Sequence, residues 1–174
     1  MTEIDLASFI RDVPDFPKPG IVFKDITPLL GSSEAFSAAV DRLAEPFRSA
    51  GVTRVAAIES RGFIFGGCVA QILGCGFVPI RKPGKLPWNR QRHEYALEYG
   101  TDAIEIHDDA LRPGDRVLIV DDVLATGGTA AAARALTGLF NAEVLGFAMV
   151  IELDFLKGRS RLEGERVHSL IHYD

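Results

Sequence analysis

Apolar and polar positions along the chain follow two kinds of spacing, one typical of helices and one typical of buried strands. Between Phe36 and Phe47, apolar residues recur every three or four positions, which predicts a helix that Ser33 caps and Pro46 ends early. Further helical patterns lie over residues 2–11, 63–73 and 128–140. Strand patterns lie over residues 52–58, 77–80, 94–99, 117–120, 143–151 and 167–171.

The order of these elements predicts the fold class. From residue 52 onward strands alternate with helices, and several of the strands are apolar throughout rather than at every second position. Strands of that kind are buried on both faces, so we expect an α/β fold with a mostly parallel central sheet flanked by helices on both faces. No internal repeat, linker or low-complexity tract interrupts the chain, so residues 1–174 are interpreted as a single domain.

Composition and charge narrow the range of partners. The 174 residues are 47% hydrophobic and 25% charged, which suits one globular domain, and the net charge is −5. An acidic chain has no general attraction for nucleic acid or an anionic membrane, so any anion must be bound locally. The N-terminus is acidic, no apolar run approaches the ~20 residues of a membrane span, and Cys68 and Cys75 lack metal-ligand spacing. We expect a cytoplasmic protein with no nucleic-acid or membrane partner.

The most informative segment covers residues 117–129, where four apolar residues lead into two adjacent carboxylates and then into a turn of small residues. Ligands of open α/β sheets bind beyond the carboxyl ends of the strands. The small residues leave backbone N–H groups accessible to a phosphate at the start of the following helix. Asp121 and Asp122 would repel that phosphate, so they suit neutral hydroxyl groups or a cation beside it.

A phosphate next to hydroxyl groups describes a sugar phosphate, and ribose 5-phosphate fits this arrangement. The segment is neither a Walker A loop nor a Gly-x-Gly-x-x-Gly turn. We call residues 125–129 the phosphate turn. The predicted ribose 5-phosphate ligands are Asp121, Asp122, Ala125, Thr126, Gly127, Gly128 and Thr129.

The same segment resembles the phosphoribosyl-diphosphate-binding motif of the type I phosphoribosyltransferases. Four further segments, residues 19–30, 59–63, 81–100 and 152–159, resemble the adenine-specific branch of that family, in the family's order. The resemblance implies an N-terminal purine-binding hood, a flexible flap and a homodimer. It also implies an activity, the transfer of ribose 5-phosphate from 5-phosphoribosyl 1-diphosphate to N9 of adenine, which gives AMP and diphosphate with Mg²⁺.

The resemblance also implies roles for individual residues. Asp121, Asp122 and the flap residue Glu98 are the implied catalytic residues, and Mg²⁺ is expected to travel with the substrate and to reach the two aspartates through water. Arg90 and Arg92 of the flap receive no role. The implied diphosphate ligands are Glu59, Ser60, Arg61, Arg81, Lys82 and Lys85, with the Glu59–Ser60 peptide in the cis form. The implied adenine ligands are Val22, Phe23 and Lys24.

Two alternatives remain open at this stage. A phosphoribosyltransferase for hypoxanthine, guanine or xanthine would share the phosphate turn and the paired aspartates, so only the segment around Phe23 argues for adenine. A regulator that senses the sugar diphosphate without catalysis would be expected to carry a nucleic-acid-binding module or a basic face. The acidic chain shows neither in its sequence.

Overall fold

The computed structural model of the chain describes residues 4–96 and 100–174. These residues contain nine strands and four α-helices. The strands are β1 (Arg11–Pro14), β2 (Val22–Asp25), β3 (Arg54–Ile58), β4 (Gly76–Ile80), β5 (Arg90–Ala96), β6 (Thr101–His107), β7 (Arg116–Leu124), β8 (Glu143–Leu153) and β9 (Val167–Tyr173). The helices are α1 (Thr27–Gly31), α2 (Ser33–Ala44), α3 (Gly62–Leu73) and α4 (Gly128–Gly138).

Five strands form a parallel sheet in the order β4-β3-β7-β8-β9. The chain enters at β3, moves outward to β4, and returns to place β7 on the other side of β3. The order of strands therefore reverses between β3 and β7, and the loops that follow these two strands lead away from each other. A reversal of this kind opens a crevice at the carboxyl ends of the two strands, which is where ligands of open α/β sheets bind.

Both faces of the sheet are covered. Helices α2 and α3 pack on one face around a core that includes Phe47 and Phe65, and α4 packs on the other with the β5–β6 hairpin, around Ile104 and Phe147. The apolar strand residues 117–120 are fully buried between the two layers. The predicted fold class, a mostly parallel sheet with helices on both faces, is confirmed. No helix within the described residues has the length and apolar character needed to cross a bilayer.

Several predicted boundaries were wrong for local reasons. Residues 2–11 do not form a helix in their described part, which contains one 3₁₀ turn (Leu6–Phe9) capped by Asp5, followed by β1. The cap of α2 is Ser32, whose Oγ accepts a hydrogen bond from the Ala35 amide, rather than Ser33. As predicted, α2 ends before Pro46, and the chain continues as a 3₁₀ turn.

Two hairpins were not predicted. Strands β1 and β2 pair antiparallel beside the sheet, and strand β5 pairs antiparallel with β6. The predicted strand over residues 94–99 begins earlier, at Arg90, and its last three residues lie outside the described part of the chain. We use the word hood for the β1–β2 hairpin, residues 11–25, and the word flap for residues 81–100.

Candidate active site

The reversal point of the sheet brings the two predicted acidic residues next to the segment that follows β3. Arg61, two residues beyond the Glu59–Ser60 peptide, places its Nε 2.5 Å from Asp122 Oδ2. The Glu59–Ser60 peptide is cis, as the resemblance implied. Gly62, at the start of α3, packs so closely on β7 that an added Cβ would lie 2.8 Å from Asp121 Oδ1. The loops after β3 and β7 therefore form one continuous site.

The two aspartates differ in their electrostatic surroundings. Asp122 is buried, with 6% of its surface exposed, and is paired with the Arg61 guanidinium. Burial and the neighbouring Asp122 carboxylate raise the pKa of Asp121 well above its usual value. The pair is thus best described as one carboxylate that is balanced by Arg61 and one carboxyl group that holds its proton readily. Together they offer both acceptors and a donor to the hydroxyl groups of a sugar.

The phosphate turn forms a small pocket at the start of α4. Its cavity of about 70 Å³ is lined by Asp121, Val123 and the turn itself. The first helical hydrogen bond runs from the Ala131 amide to the Gly127 carbonyl, so the amides of residues 128–130 have no acceptor within the helix. Unpaired amides at the positive end of a helix dipole are the elements of an anion site.

The segment around Gly158 packs against the phosphate turn and supports it. Gly158 packs against it at such short range that an added Cβ on Gly158 would lie 2.1 Å from the Ala125 carbonyl oxygen, and one on Gly127 would lie 2.2 Å from the Gly158 carbonyl oxygen. Gly127 also has φ +78°, a conformation that glycine adopts without strain. The turn can take this shape only because both positions lack a side chain.

An ion pair anchors the segment that carries Gly158. Arg159 binds buried Glu152 at the end of β8 through two hydrogen bonds, of 2.9 and 2.6 Å, and Ser169 of β9 donates a third to the same carboxylate. Burial alone would raise the pKa of Glu152, but Arg159 and Ser169 outweigh it and hold that pKa below its usual value. Glu152 thus ties the support of the phosphate turn to the sheet.

The same carboxylate belongs to a group with metal-ligand geometry, because atoms of Glu152, Asp154 and His172 lie within 4.8 Å of one another. Both oxygens of Glu152 are occupied by Arg159 and Ser169, and His172 Nδ1 lies 3.0 Å from Asp154 Oδ2. This group lacks the open carboxylate oxygens that a divalent cation requires. Its hydrogen bonds serve the structure of the segment around Gly158.

The predicted diphosphate cations of the flap are held by carboxylates. Arg81 Nε lies 2.9 Å from Glu59 Oε2, and Lys85 Nζ lies 2.7 Å from Glu59 Oε1. Burial alone would raise the pKa of Glu59, but the hydrogen bonds from Lys85 and Arg81 lower it. Lys82 forms an ion pair with Asp102 of β6. The Glu59 side chain therefore holds two of the predicted cations, and the predicted role of Glu59 at the diphosphate would fall to its backbone.

Arg90, a flap cation that received no role in the sequence analysis, has a structural role. Arg90 Nε lies 3.0 Å from Oε2 of Glu105, which is 2% exposed, and the Gly84 amide donates to the same oxygen. These bonds fasten the first half of the flap to β6. Arg90 is therefore a structural anchor of the flap.

The hood brings Phe23 to the same site. The Phe23 ring centroid lies 4.9 Å from the Arg61 guanidinium carbon, so Arg61 touches both the hood and Asp122. Phe16 packs edge-on against Phe23 at 5.2 Å between centroids, and the Val22 side chain is largely exposed beside it. A flat ring supported by an arginine suits a planar heterocycle.

Lys24 differs from the prediction in its surroundings. Neighbouring residues of a strand point to opposite faces, so the side chains of Phe23 and Lys24 leave β2 on opposite sides. Lys24 Nζ lies 2.7 Å from Asp12 Oδ1 and 3.8 Å above the Tyr173 ring centroid. The Lys24 side chain thus joins the hood to the last strand of the sheet.

Comparison with known proteins assigns the family. Residues 30–168 match the model of the phosphoribosyl transferase domain. The adenine phosphoribosyltransferase of Methylococcus capsulatus is 58% identical over 168 residues, which cover 97% of this chain and 98% of the relative. That of Thermotoga maritima is 54% identical over 99% of this chain and 100% of its own length. This chain belongs to the adenine phosphoribosyltransferase family.

Solved structures of adenine phosphoribosyltransferases share the whole fold. The enzyme of Thermoanaerobacter pseudethanolicus superposes with a TM-score of 0.94 at 49% identity, covering 97% of this chain and 98% of that one. The enzyme of Saccharomyces cerevisiae, complexed with an imino-altritol bisphosphate and adenine, gives a TM-score of 0.89 at 43% identity, covering 95% and 96% of the two chains. The resemblance stated from the sequence is confirmed.

Within the adenine phosphoribosyltransferase framework, the structure joins most of the predicted site residues and leaves one undescribed. Glu98 lies outside the described residues, and its catalytic role stays a prediction. Val123 and Gly158 were not among the predicted site residues. Val123 follows the paired aspartates directly and could have been included on position alone. The contact of Gly158 with the phosphate turn joins residues about thirty positions apart and leaves no local signal.

We expect Asp121→Asn to stabilise the protein at neutral pH. Since the native pKa of Asp121 is raised above the unfolded value of about 3.8, native stability falls as the pH rises between these two values and stays reduced above the native one. An asparagine has no proton to lose and escapes this loss. At pH 7.5 we therefore expect a higher Tm for Asp121→Asn than for the unsubstituted protein.

Thermal unfolding followed by circular dichroism at several pH values checks this expectation. The gain of Asp121→Asn over the unsubstituted protein should shrink as the pH falls toward 4, and the matched change at exposed Asp109 should leave Tm unaltered throughout. A gain that is the same at every pH would show that the proton on Asp121 is not its cause.

Proposed function

We propose that this chain transfers ribose 5-phosphate from 5-phosphoribosyl 1-diphosphate to N9 of adenine, giving AMP and diphosphate. The observation that carries the proposal is the position of Arg61, whose guanidinium contacts the Phe23 ring of the hood and Asp122 beside the phosphate turn. A base stacked on Phe23 and a ribose held at Asp122 would therefore meet at one point. The relatives named as adenine phosphoribosyltransferases support the choice of base.

The sugar phosphate is held by groups of one loop. The free amides of residues 128–130, with the Thr126 and Thr129 hydroxyls, receive the 5-phosphate, and Asp121 and Asp122 bind the ribose hydroxyls. As the bond from the anomeric carbon to the diphosphate lengthens, positive charge grows on the ribose ring. The Asp122 carboxylate lies on the side where that charge forms and stabilises it.

The diphosphate competes for cations that the protein already holds. Arg61 is paired with Asp122, Arg81 and Lys85 with Glu59, and Lys82 with Asp102. A diphosphate carries more charge than a carboxylate and accepts bidentate bonds from arginine, so it can draw Arg61, Arg81 and Lys85 to itself. Lys82 can add a bond to the diphosphate without leaving Asp102. Ser60 contributes its backbone amide at the cis peptide. Movement of the flap cations toward the leaving group would also exclude water from the reacting carbon.

Adenine is bound by the hood. Phe23 stacks on the purine, Val22 meets the edge of the base through its backbone, and Lys24 contributes through its backbone and by fastening the hood to Tyr173. Glu98 is proposed as the group that exchanges a proton with the base or the leaving group. In sequence, Glu98 lies near the end of the flap.

Magnesium is proposed as the cofactor that enters with the sugar diphosphate. The donor set fits an indirect role, because Asp122 forms an ion pair with Arg61 and burial raises the pKa of Asp121, so both acids suit contacts through water better than direct bonds to the cation. Both acids can contact the water shell that Mg²⁺ keeps around itself. When bound, the ion neutralises charge that develops on the leaving diphosphate.

Formation of AMP tests the proposal. The protein is incubated with 5-phosphoribosyl 1-diphosphate, Mg²⁺ and one of four bases, namely adenine, hypoxanthine, guanine or xanthine, and nucleotide is measured by chromatography. We expect AMP from adenine, at least 100-fold slower turnover of the oxopurines, and loss of activity with excess EDTA. Turnover of an oxopurine in preference to adenine would assign a different base, and no turnover of any base would favour a sensor of the sugar diphosphate.

A homodimer is proposed for the active form. Strand β4 is an edge of the sheet, and Phe77 on it is 40% exposed together with Ile64 of α3 at 40% and Trp88 of the flap at 61%. Exposed apolar side chains suit an interface with a second copy, and Lys85 is proposed to reach the partner's site across it. Light scattering should give about twice 18.9 kDa at micromolar concentration. A mass of one chain would contradict this.

A cytoplasmic location is proposed with it. Cys68 and Cys75 are both free thiols within the described structure, and their side chains are partly buried between α2, α3 and β4. Free thiols are typical of proteins in reducing compartments. The proposed substrates, a free base and a phosphorylated sugar, are likewise compounds of the cell interior.

A further inference from the structure

Tyr95 of strand β5 lies directly over the first turn of α4. Its ring atoms Cδ2 and Cε2 lie 3.5 and 3.8 Å from the point where a Cβ on Gly128 would stand, so the ring covers that glycine. Its hydroxyl lies 3.2 Å from Thr129 Oγ1. A side chain of the flap therefore contacts two residues of the phosphate turn.

The same hydroxyl also contacts the ion pair between Lys82 of the flap and Asp102 of β6. Tyr95 Oη accepts a hydrogen bond from Lys82 Nζ at 3.2 Å and donates one to Asp102 Oδ2 at 3.1 Å, and Lys82 and Asp102 are joined by an ion pair. Tyr95 is half-buried, which shields these bonds from competing water. One oxygen atom thus connects Lys82 and Asp102 to Thr129.

The donors and acceptors in this group can be assigned when a phosphate is bound. A phosphate accepts hydrogen bonds, so Thr129 must give its only hydrogen to the phosphate and must accept at its own oxygen. The available donor is the Tyr95 hydroxyl. Tyr95 can give its hydrogen to Thr129 only if Asp102 is satisfied by another donor, and Lys82 supplies that donor while its ammonium also donates to Tyr95.

We propose that Tyr95 is a positioning residue of the site, which orients the Thr129 hydroxyl toward the 5-phosphate of the substrate. This inference rests on the proposed function, which assigns the phosphate turn to that group. Lys82 and Asp102 set the direction of the Tyr95 hydrogen. An ammonium has three donors, and two of them serve Asp102 and Tyr95, so one stays available for the diphosphate.

A double-mutant cycle on ligand affinity tests the proposal. The dissociation constant of ribose 5-phosphate is measured by titration calorimetry for the unsubstituted protein, Tyr95→Phe, Thr129→Val and the variant with both changes. We expect Tyr95→Phe to weaken binding about fivefold, the change that one ordinary hydrogen bond gives. If Tyr95 acts through Thr129, the double variant should bind no more weakly than Thr129→Val alone.

The controls separate orientation from packing. Tyr95→Phe keeps the ring over Gly128 and loses only the hydrogen bonds of the hydroxyl, so its Tm should fall by no more than about 2–4 °C. Ser37→Ala, which removes an exposed hydroxyl of α2, should keep normal affinity. Unchanged affinity in Tyr95→Phe, or effects of the two changes that multiply in the double variant, would overturn the proposal. Failure of the unsubstituted protein to bind ribose 5-phosphate would do so too.

The assay for AMP is separate from this titration. A protein that binds ribose 5-phosphate with the expected cycle but makes no nucleotide would refute the proposed function and leave the role of Tyr95 intact. In an active enzyme, Tyr95→Phe should raise KM for the sugar diphosphate and leave KM for adenine unchanged, because the hood does not contact Tyr95.

Discussion

Gly158→Ala is expected to lower kcat/KM for the sugar diphosphate at least about 100-fold and to cost about 2 kcal/mol of folding free energy. The added methyl group would stand 2.1 Å from the Ala125 carbonyl oxygen and 2.9 Å from the Gly127 amide nitrogen. Both atoms belong to the backbone of the phosphate turn, so the steric clash can be relieved only if the turn itself moves. A shift of about 1 Å in groups that orient a substrate is enough for an effect of this size.

Initial rates of AMP formation and thermal unfolding check this expectation. The matched control is Gly138→Ala at the exposed end of α4, where φ is not positive and an added Cβ meets no atom within 4 Å. It should keep both activity and Tm. Normal kcat/KM in Gly158→Ala would mean that the turn tolerates displacement, and hence that its shape is not what binds the phosphate.

Asp122→Ala is expected to lower kcat/KM at least about 100-fold, through a higher KM for the sugar diphosphate together with a lower kcat. The change removes an acceptor for the ribose hydroxyls and the carboxylate that faces the developing charge. It also removes the ion-pair partner of Arg61, whose Nε lies 2.5 Å from Asp122 Oδ2. The contact between the Arg61 guanidinium and the Phe23 ring then loses this support. Loss of the neighbouring charge should bring the pKa of Asp121 down toward its usual value.

Steady-state kinetics and the pH dependence of Tm give two independent readings of this variant. The loss of native stability with rising pH that Asp121 causes should become smaller in Asp122→Ala. Asp109→Ala, on an exposed turn after β6, serves as control. Arg90 received no role in the predicted site, but it is not used as the control because its ion pair with buried Glu105 anchors the flap. If Asp122→Ala and Asp109→Ala had equal kinetic constants, the paired acids would not belong to the active site.

The parts of the site that could be predicted are those in which neighbouring residues act together. Asp121, Asp122 and the phosphate turn follow one another without a gap, so a strand that ends in acids and continues into a small-residue turn is visible in the sequence alone. Arg61 was predictable for the same reason, since it follows a buried strand. The parallel sheet then brings the ends of β3 and β7 together.

The parts that could not be predicted depend on contacts between distant residues. The resemblance implied Lys24 as an adenine ligand beside Phe23, and that role stays a prediction. The contacts of its side chain with Asp12 and Tyr173 follow from the alternation of β2 and join residues far apart in the sequence. The resemblance implied a hood, but its hairpin was not predicted from the residue pattern, because its strands have four residues each and prolines lie nearby. Likewise, Tyr95 and Arg90 take on roles only when the hairpin folds over α4 and Glu105.

The pairing of the flap cations with Glu59 and Asp102 has a consequence for selectivity. Cells contain many abundant phosphate compounds, and a pocket with bare lysines and arginines would collect them all. Here each of these cations already has an internal counterion. An incoming anion must compete with the Glu59 and Asp102 carboxylates for these cations, which a lone orthophosphate does poorly and a diphosphate joined to a bound sugar does well. This pairing therefore keeps unrelated anions from binding in the site before the substrate arrives, and it does so without a physical barrier at the entrance.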